Sequence, residues 1–192
     1  MSRLPELDET ALSDDQQKVF DAIASGPRGA VCGPLRVWLQ SPGLAAQAQA
    51  LGKYARYDSV LPAHLSELAI LVTARYWSSG FEWTHHAPIA VQVGVPEQAV
   101  EAIARAQRYS FDDAEMQAVF DFAVELHLNK TVSDGAYDAA KAALGLQACV
   151  DLVGICGYYT LISMTINVFD VADGDGPNLP KLDMAVAGFF GA

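Results

Sequence analysis

The sequence predicts an all-α bundle, and three observations carry that expectation. Helix start and stop signals recur along the 192 residues. No Val-, Ile- or Thr-rich run alternates with period two as a half-buried strand would. Hydrophobic residues make up 52% against 18% charged, enough to bury a core and too apolar for a disordered chain. A single domain over residues 1–192 is therefore expected.

The helices can be placed in order. Ser13 and Gln16 form a capping box for a helix to about Ser25, stopped by Gly26-Pro27. Gly26 to Gly33 reads as a loop, followed by a short apolar piece over Leu35 to Leu39. Pro42 opens an Ala/Gln-rich helix to about Tyr57, and Pro62 opens the next, to about Trp77. That helix is apolar on both faces, with Glu67 and Arg75 its only charges after the first turn, so it should be buried nearly all round. Ser78-Ser79-Gly80 breaks the chain before a helix over Phe81 to Val93. Pro96 starts another to about Gln107. Asp112 with Glu115 caps a helix to about Leu128, and Asp134 or Ser133 starts one ending at Gly145. A long apolar helix then spans Leu146 to Val171, followed by a loop at Asp173 and an apolar tail over Leu182 to Phe190.

Charge and cysteine use narrow the function. A net charge of −11 argues against nucleic acid and against anionic membrane surfaces, and leaves an anionic substrate dependent on a local cluster drawn from twelve basic residues. Cys32, Cys149 and Cys156 form neither a disulfide framework nor a C-x-x-C pair. The acidic segment from Met1 to Asp15 has no apolar signal region. Leu152 to Phe169 carries no charge but holds glycines, tyrosines and small polar residues without a basic flank, which favours a buried central helix over a membrane span. A cytoplasmic protein is expected.

The chemistry concentrates in Ser79-Gly-Phe-Glu-Trp-Thr-His-His86. Glu82 and His86 are four apart, so a helix stacks them on one face, where a carboxylate can fix the imidazole tautomer and favour its charged form. Such a pair suits general acid–base work. The competing reading is that Ser79-x-x-Glu82 is only a capping box. Pro88 should free the Thr84 carbonyl and bend this helix one turn past the pair. His64 reads as surface, and His127 as a hydrogen-bonded core or interface residue. His85 is either solvent-facing or a second imidazole in the cleft. Metal binding is not expected: His85 and His86 point about 100° apart on a helix, and no third ligand is apparent.

The stretches Glu67-Leu-Ala-Ile-Leu-Val-Thr-Ala, Phe81-Glu-Trp-Thr-His-His86, Glu125-Leu-His-Leu-Asn-Lys-Thr-Val-Ser-Asp134 and Tyr158-Tyr-Thr-Leu-Ile-Ser-Met-Thr-Ile-Asn167 resemble the carboxymuconolactone decarboxylase family and its alkyl-hydroperoxidase-D relatives. The resemblance covers about residues 35–171, making 1–34 an N-terminal helical extension and 172–192 a C-terminal tail. It implies an alkyl-hydroperoxidase-D-like helical bundle that forms a homo-oligomer, trimer-based or hexameric. Laid on the peroxidase branch, the relay glutamate falls on Glu67 and the histidine on His86. The two redox cysteines fall on Ser79 and Glu82, so a dithiol peroxidase cycle cannot run there.

The Glu-Trp-x-x-His form is more like the decarboxylase branch, which implies proton transfer on a small organic acid or lactone with no cofactor; the alternatives are a peroxiredoxin-like antioxidant oxidoreductase and a non-catalytic binding or scaffold member of the family. By that resemblance His86 is the general acid or base, Glu82 its orienting partner and Glu67 a buried supporting carboxylate. Ser79, Phe81, Trp83, His85 and Tyr158 are expected to border the substrate. Arg75 is the candidate for a substrate carboxylate, or else a salt-bridge partner of Glu67 or Glu82.

Overall fold

The structure is a computed structural model describing residues 3–5, 7–183 and 186–191, the side chains of 186 and 187 excepted. The expected acidic leader and apolar tail thus fall partly outside the described residues. Those residues form helices and turns with no strand: α1 (Asp14–Ala24), α2 (Pro34–Trp38), α3 (Pro42–Lys53), α4 (Ala63–Tyr76), α5 (Gly80–Gln92), α6 (Glu97–Ala104), α7 (Ala114–Asn129), α8 (Asp134–Leu144) and α9 (Leu146–Phe169). A π-helical turn, Tyr54–Asp58, continues α3, and a short 3-10 piece, Val186–Gly191, ends the described chain.

Helix α4 is the axis of the bundle. Every residue from Leu65 to Arg75 is buried, because neighbours cover the whole circumference: α5, α6, α7 and α9 all pack on it. A helix apolar on all sides has no face to leave in water, so the sequence pattern and the central position are the same fact. The capping box at Ser13 forms as expected. Helix α7 starts one residue later than expected, with Asp113 rather than Asp112 accepting from the Met116 N–H, and Ser133 caps α8. Helix α6 ends at Ala104, before the left-handed Ala106, and α5 runs through Pro88 to Gln92 without ending there.

Helix α9 is long and apolar enough by composition to cross a membrane, yet half of that window is buried inside the bundle. Its inner face packs on α4, the π-turn and α2. Its outer face leaves Leu146, Val150, Val153, Met164 and Val168 exposed. The buried central helix expected from the sequence packs into the bundle along one face only and keeps an uncharged apolar outer face.

The C-terminal segment is part of the fold. Phe189 and Phe190 are buried, the Phe190 N–H donates to the Ala106 carbonyl, and the Arg75 guanidinium lies 5.1 Å from the Phe189 ring.

Candidate active site

Glu67 projects from the middle of α4, where no solvated face exists to receive it. Its partner comes from α5: the His86 Nδ1 lies 2.7 Å from the Glu67 Oε2. The other ring nitrogen, Nε2, lies 3.3 Å from Glu82 Oε2, one turn earlier on α5. All three side chains are buried, His86 at 2% exposure, Glu82 at 4% and Glu67 at 5%. Each ring nitrogen can donate to its carboxylate only if both carry protons, so the geometry calls for an imidazolium between two carboxylates. Burial alone pushes the His86 pKa down, but the hydrogen bonds to Glu67 and Glu82 and their charges outweigh it, and the pKa is held above its ordinary value. The Tyr159 ring stands edge-on to the imidazole at 5.1 Å and completes its packing.

The capping reading is decided by the same contacts. Ser79 occupies the N-cap of α5, but its side chain accepts no helix N–H, and its Oγ is buried without a partner among the described residues. Glu82 is turned to His86 instead of back to the cap.

Beside this row lies a cleft of about 280 Å³. Helix α5 contributes Phe81, Glu82, His85 and His86, the 26–33 loop Arg28 and Cys32, the π-turn Arg56 and Tyr57, and α9 Tyr159 and Ile162. Glu67 is absent from the lining, which both Glu82 and His86 reach. Phe81 can reach the cleft edge because Gly33, at φ +53°, has no side chain; a Cβ there would come within 2.2 Å of the ring.

Four expected residues are placed elsewhere, the first being Ser79, buried at the N-cap and absent from the cleft lining. Arg75 faces away from the cluster: it donates to the Ala104 carbonyl at 3.1 Å, the Pro180 carbonyl at 2.8 Å and the Ser78 hydroxyl at 2.7 Å. It therefore neither awaits a substrate carboxylate nor pairs with Glu67 or Glu82; it holds the C-terminal segment. Trp83 is buried in the core, one residue round the helix from the cleft. Tyr158 is also buried, its hydroxyl accepting from Arg28 at 3.2 Å, and its neighbour Tyr159 takes the wall position.

His85 is exposed and borders the cleft, which joins both readings offered by the sequence. Its Nε2 lies 3.1 Å from the Arg56 Nη2. A guanidinium only donates, so that nitrogen accepts and the ring is neutral with its proton on Nδ1. Desolvation, His86 and Arg56 together hold its pKa below the ordinary value.

The π-turn is fixed by a residue the sequence reading passed over. Asp151, buried on α9, accepts from the Tyr54 hydroxyl at 2.9 Å, the Ser59 hydroxyl at 3.1 Å and the Val60 N–H at 3.0 Å. These bonds span the turn that presents Arg56 and Tyr57 to the cleft. π-turns inside helices cost regular hydrogen bonding and are frequent at functional sites.

Two buried thiols lie outside this machinery. Burial raises the pKa of Cys149, and that of Cys156 to about 12, so neither forms a thiolate readily.

Residues 42–125 match the model of the carboxymuconolactone decarboxylase family. Over that segment, from the start of α3 into α7, the chain is similar to the family. Solved structures agree on the alkyl-hydroperoxidase-D-like fold. An alkylhydroperoxidase AhpD core, described as an uncharacterized peroxidase-related protein from Ralstonia eutropha, superposes with a TM-score of 0.73 at 16% identity, covering 91% of this chain and 93% of its own. A peroxidase-related protein from Silicibacter gives 0.71 at 15%, covering 91% and 92%. The debrominase Bmp8, in complex with 2,3,4-tribromopyrrole, gives 0.70 at 16%, covering 91% and 95%. Comparison with curated protein sequences returns no match.

Proposed function

We propose that the chain is a cofactor-independent acid–base enzyme acting on a small organic acid or lactone, as a decarboxylase, isomerase or hydrolase. The observation behind this is the row Glu82, His86, Glu67, which meets the cleft at Glu82 and His86 and ends at the buried Glu67 carboxylate. Part of the assignment expected from sequence is exchanged. With both nitrogens of His86 engaged by carboxylates, Glu82 is the group that exchanges a proton with substrate and His86 is the charged support beside it.

The row works in either direction. In the ground state Glu82 is a carboxylate against an imidazolium. When a substrate C–H bond beside a carbonyl breaks, its proton passes to a Glu82 oxygen and the electron pair moves into the carbonyl system. The same proton then returns to another carbon, completing an isomerisation. In a decarboxylation the C–C bond to the carboxylate breaks, carbon dioxide leaves, and the electron pair left on carbon takes a proton from the row. In lactone opening, water attacks the carbonyl as Glu82 takes its proton, and the ring alkoxide leaves with that proton. Glu67 keeps the imidazole charged and aligned throughout.

Two further expectations belong to this proposal: a single cytoplasmic domain, and a homo-oligomer, trimer-based or hexameric. Support for the second is the outer face of α9, uncharged on a chain carrying −11. Leu146, Val150, Val153, Met164 and Val168 are exposed along it, and Gly154 and Gly157 leave open space between them. Light scattering at the mass of one 20.5 kDa chain would reject the oligomer.

A thiol reading has one observation on its side: Cys32 is exposed and lines the same cleft. A panel of small carbon acids and lactones, followed by proton NMR for turnover and solvent-deuterium uptake, separates the two. Glu82→Gln should lower the rate by about 100-fold or more while Cys32→Ser leaves it unchanged. The reverse pattern would transfer the chemistry to the thiol.

A further inference from the structure

The cleft holds a charge imbalance that the proton row does not use. Basic residues are scarce here, twelve against 23 acidic, yet Arg28 and Arg56 both line this cleft. Elsewhere arginines near acids are paired with them, as Arg36 is with Glu9 and Arg108 with Asp121. Among the described residues neither Arg28 nor Arg56 has a carboxylate within ion-pair distance.

Their other contacts hold them in place without neutralising them. Arg56 meets the neutral His85 through one Nη and lies 5.4 Å from the Tyr57 ring. Arg28 donates one Nη to the Tyr158 hydroxyl, and its Nε is buried with no partner among the described residues. The chain makes room for that second contact at Gly52, where a Cβ would stand 2.0 Å from the Tyr158 oxygen and 2.5 Å from the Arg28 Nη2. Arg75 differs at its Nη groups, which donate to two carbonyls and a hydroxyl of its own protein, while its Nε, like that of Arg28, is buried without a partner among the described residues. Arg28 and Arg56 retain most of their five donors, in a partly desolvated cleft where an anion would be held by charge-assisted bonds.

The remaining walls describe the body of the anion. Tyr57, Phe81 and Tyr159 present rings, with Leu35 and Ile162 between them. The volume of about 280 Å³ lies at the small end of ligand pockets, which run from about 300 Å³ upward. We propose that Arg56 and Arg28 form the carboxylate subsite for a compact, flat, aromatic or unsaturated carboxylate, and that this subsite sets substrate choice. The inference rests on the acid–base reading of the same cleft, because it places the reacting carbon toward Glu82 and the carboxylate on the arginines. It also assigns a role to the 26–33 loop, which lies before the segment matched to the family, residues 42–125.

Benzoate is a suitable probe, with benzamide as its uncharged isostere and inorganic phosphate as a shapeless anion, titrated against the full chain by NMR and calorimetry. Benzoate should bind in the millimolar range or tighter, and at least about ten-fold better than either control, as expected for a charge-assisted pair in a shaped site. Arg56→Gln should weaken benzoate by about ten-fold or more, Arg28→Gln by less, and Arg56→Lys should recover part of the loss. Unaltered melting curves would show that the variants are folded. No benzoate binding by the parent, equal binding of phosphate, or Arg56→Gln binding as well as the parent would each overturn the subsite. Glu82→Gln separates this from the proton row: it should keep or tighten benzoate binding while abolishing deuterium uptake. Loss of binding in Arg56→Gln with full deuterium uptake in Glu82→Gln would retain the subsite and reject the acid–base reading. Unchanged binding in Arg56→Gln with lost uptake in Glu82→Gln would do the opposite.

Discussion

His86 and His127 are both buried histidines packed on α4, and the fold has given them opposite electrostatics. His86 lies between two carboxylates, and its pKa is held up. Among the described residues no acid acts on His127, whose pKa is moved by burial alone. Its Nε2 lies 2.9 Å from the Thr73 hydroxyl, which already donates to the Ala69 carbonyl, so the ring donates and is neutral. It stacks on Tyr76 at 4.9 Å, and burial pushes its pKa down to about 4. The lesson is that burial of an ionisable group does not make a site; the partners supplied with the burial decide. His127 is a core residue with a satisfied donor. His86 is an imidazole whose charged form two carboxylates favour, beside a cleft.

The sharpest way to break this comparison is to remove each imidazole in turn. His86→Gln should reduce turnover by about 100-fold or more, whereas His127→Gln should leave kcat within about two-fold once folded protein is compared. Comparable losses in both variants would mean that the row has no special role. Stability is the next test, by urea titration at neutral pH. His86→Leu strands Glu67 and Glu82 together without a cation and should cost about 3–5 kcal/mol, the range for breaking a buried ion pair. His127→Leu exchanges one hydrogen bond for packing and should cost about 1 kcal/mol.

The two rings should also bend the pH profile of stability in opposite directions. His127 has a lowered folded pKa, so the unfolded chain binds the extra proton between pH about 6.5 and 4. Stability should fall through that window, by about 3 kcal/mol in all, and His127→Gln should flatten the fall. For His86 the folded pKa is raised, so its contribution is complete below its unfolded value near 6.5 and is lost as pH rises through the higher folded value. A His86→Gln variant whose deficit did not shrink on the alkaline side would contradict this.

A smaller effect is expected at the π-turn. Asp151→Asn keeps the shape but weakens the bonds to Tyr54, Ser59 and Val60 that set Arg56. KM for a carboxylate substrate should rise by about three- to ten-fold, the scale of one or two weakened hydrogen bonds, with kcat nearly unchanged. An equal fall in kcat would place Asp151 in the chemistry rather than in positioning.

What was legible in the sequence follows from the range of each interaction. Glu82 and His86 are a helix turn apart, and the helix of Glu67 is apolar all round, so local spacing and burial were enough to join the three. Arg28 meets Tyr158 across 130 positions and Asp151 meets Tyr54 across 97; no local pattern encodes such pairings. Tyr159 rather than Tyr158 reaches the cleft, a difference no pattern on α9 encodes, because that helix has almost no amphipathic direction and adjacent residues differ by about 100° around it. Arg75 misled for the same reason: on α4 every direction is apolar, and only the C-terminal segment settling over it shows where the guanidinium goes. The cap at Asp113 was missed by one residue between two aspartates of equal capping strength.

The most direct test of the central claim is the charge on His86, read from the ring nitrogen shifts of histidine-labelled protein between pH 5.5 and 8.5, with His127 as the internal reference. Both nitrogens of His86 should carry protons at pH 6.5 and titrate only above it, while His127 stays neutral throughout. Glu82→Gln should lower the His86 pKa. A His86 ring already neutral at pH 6.5, or one whose titration ignores Glu82→Gln, would contradict the proton row.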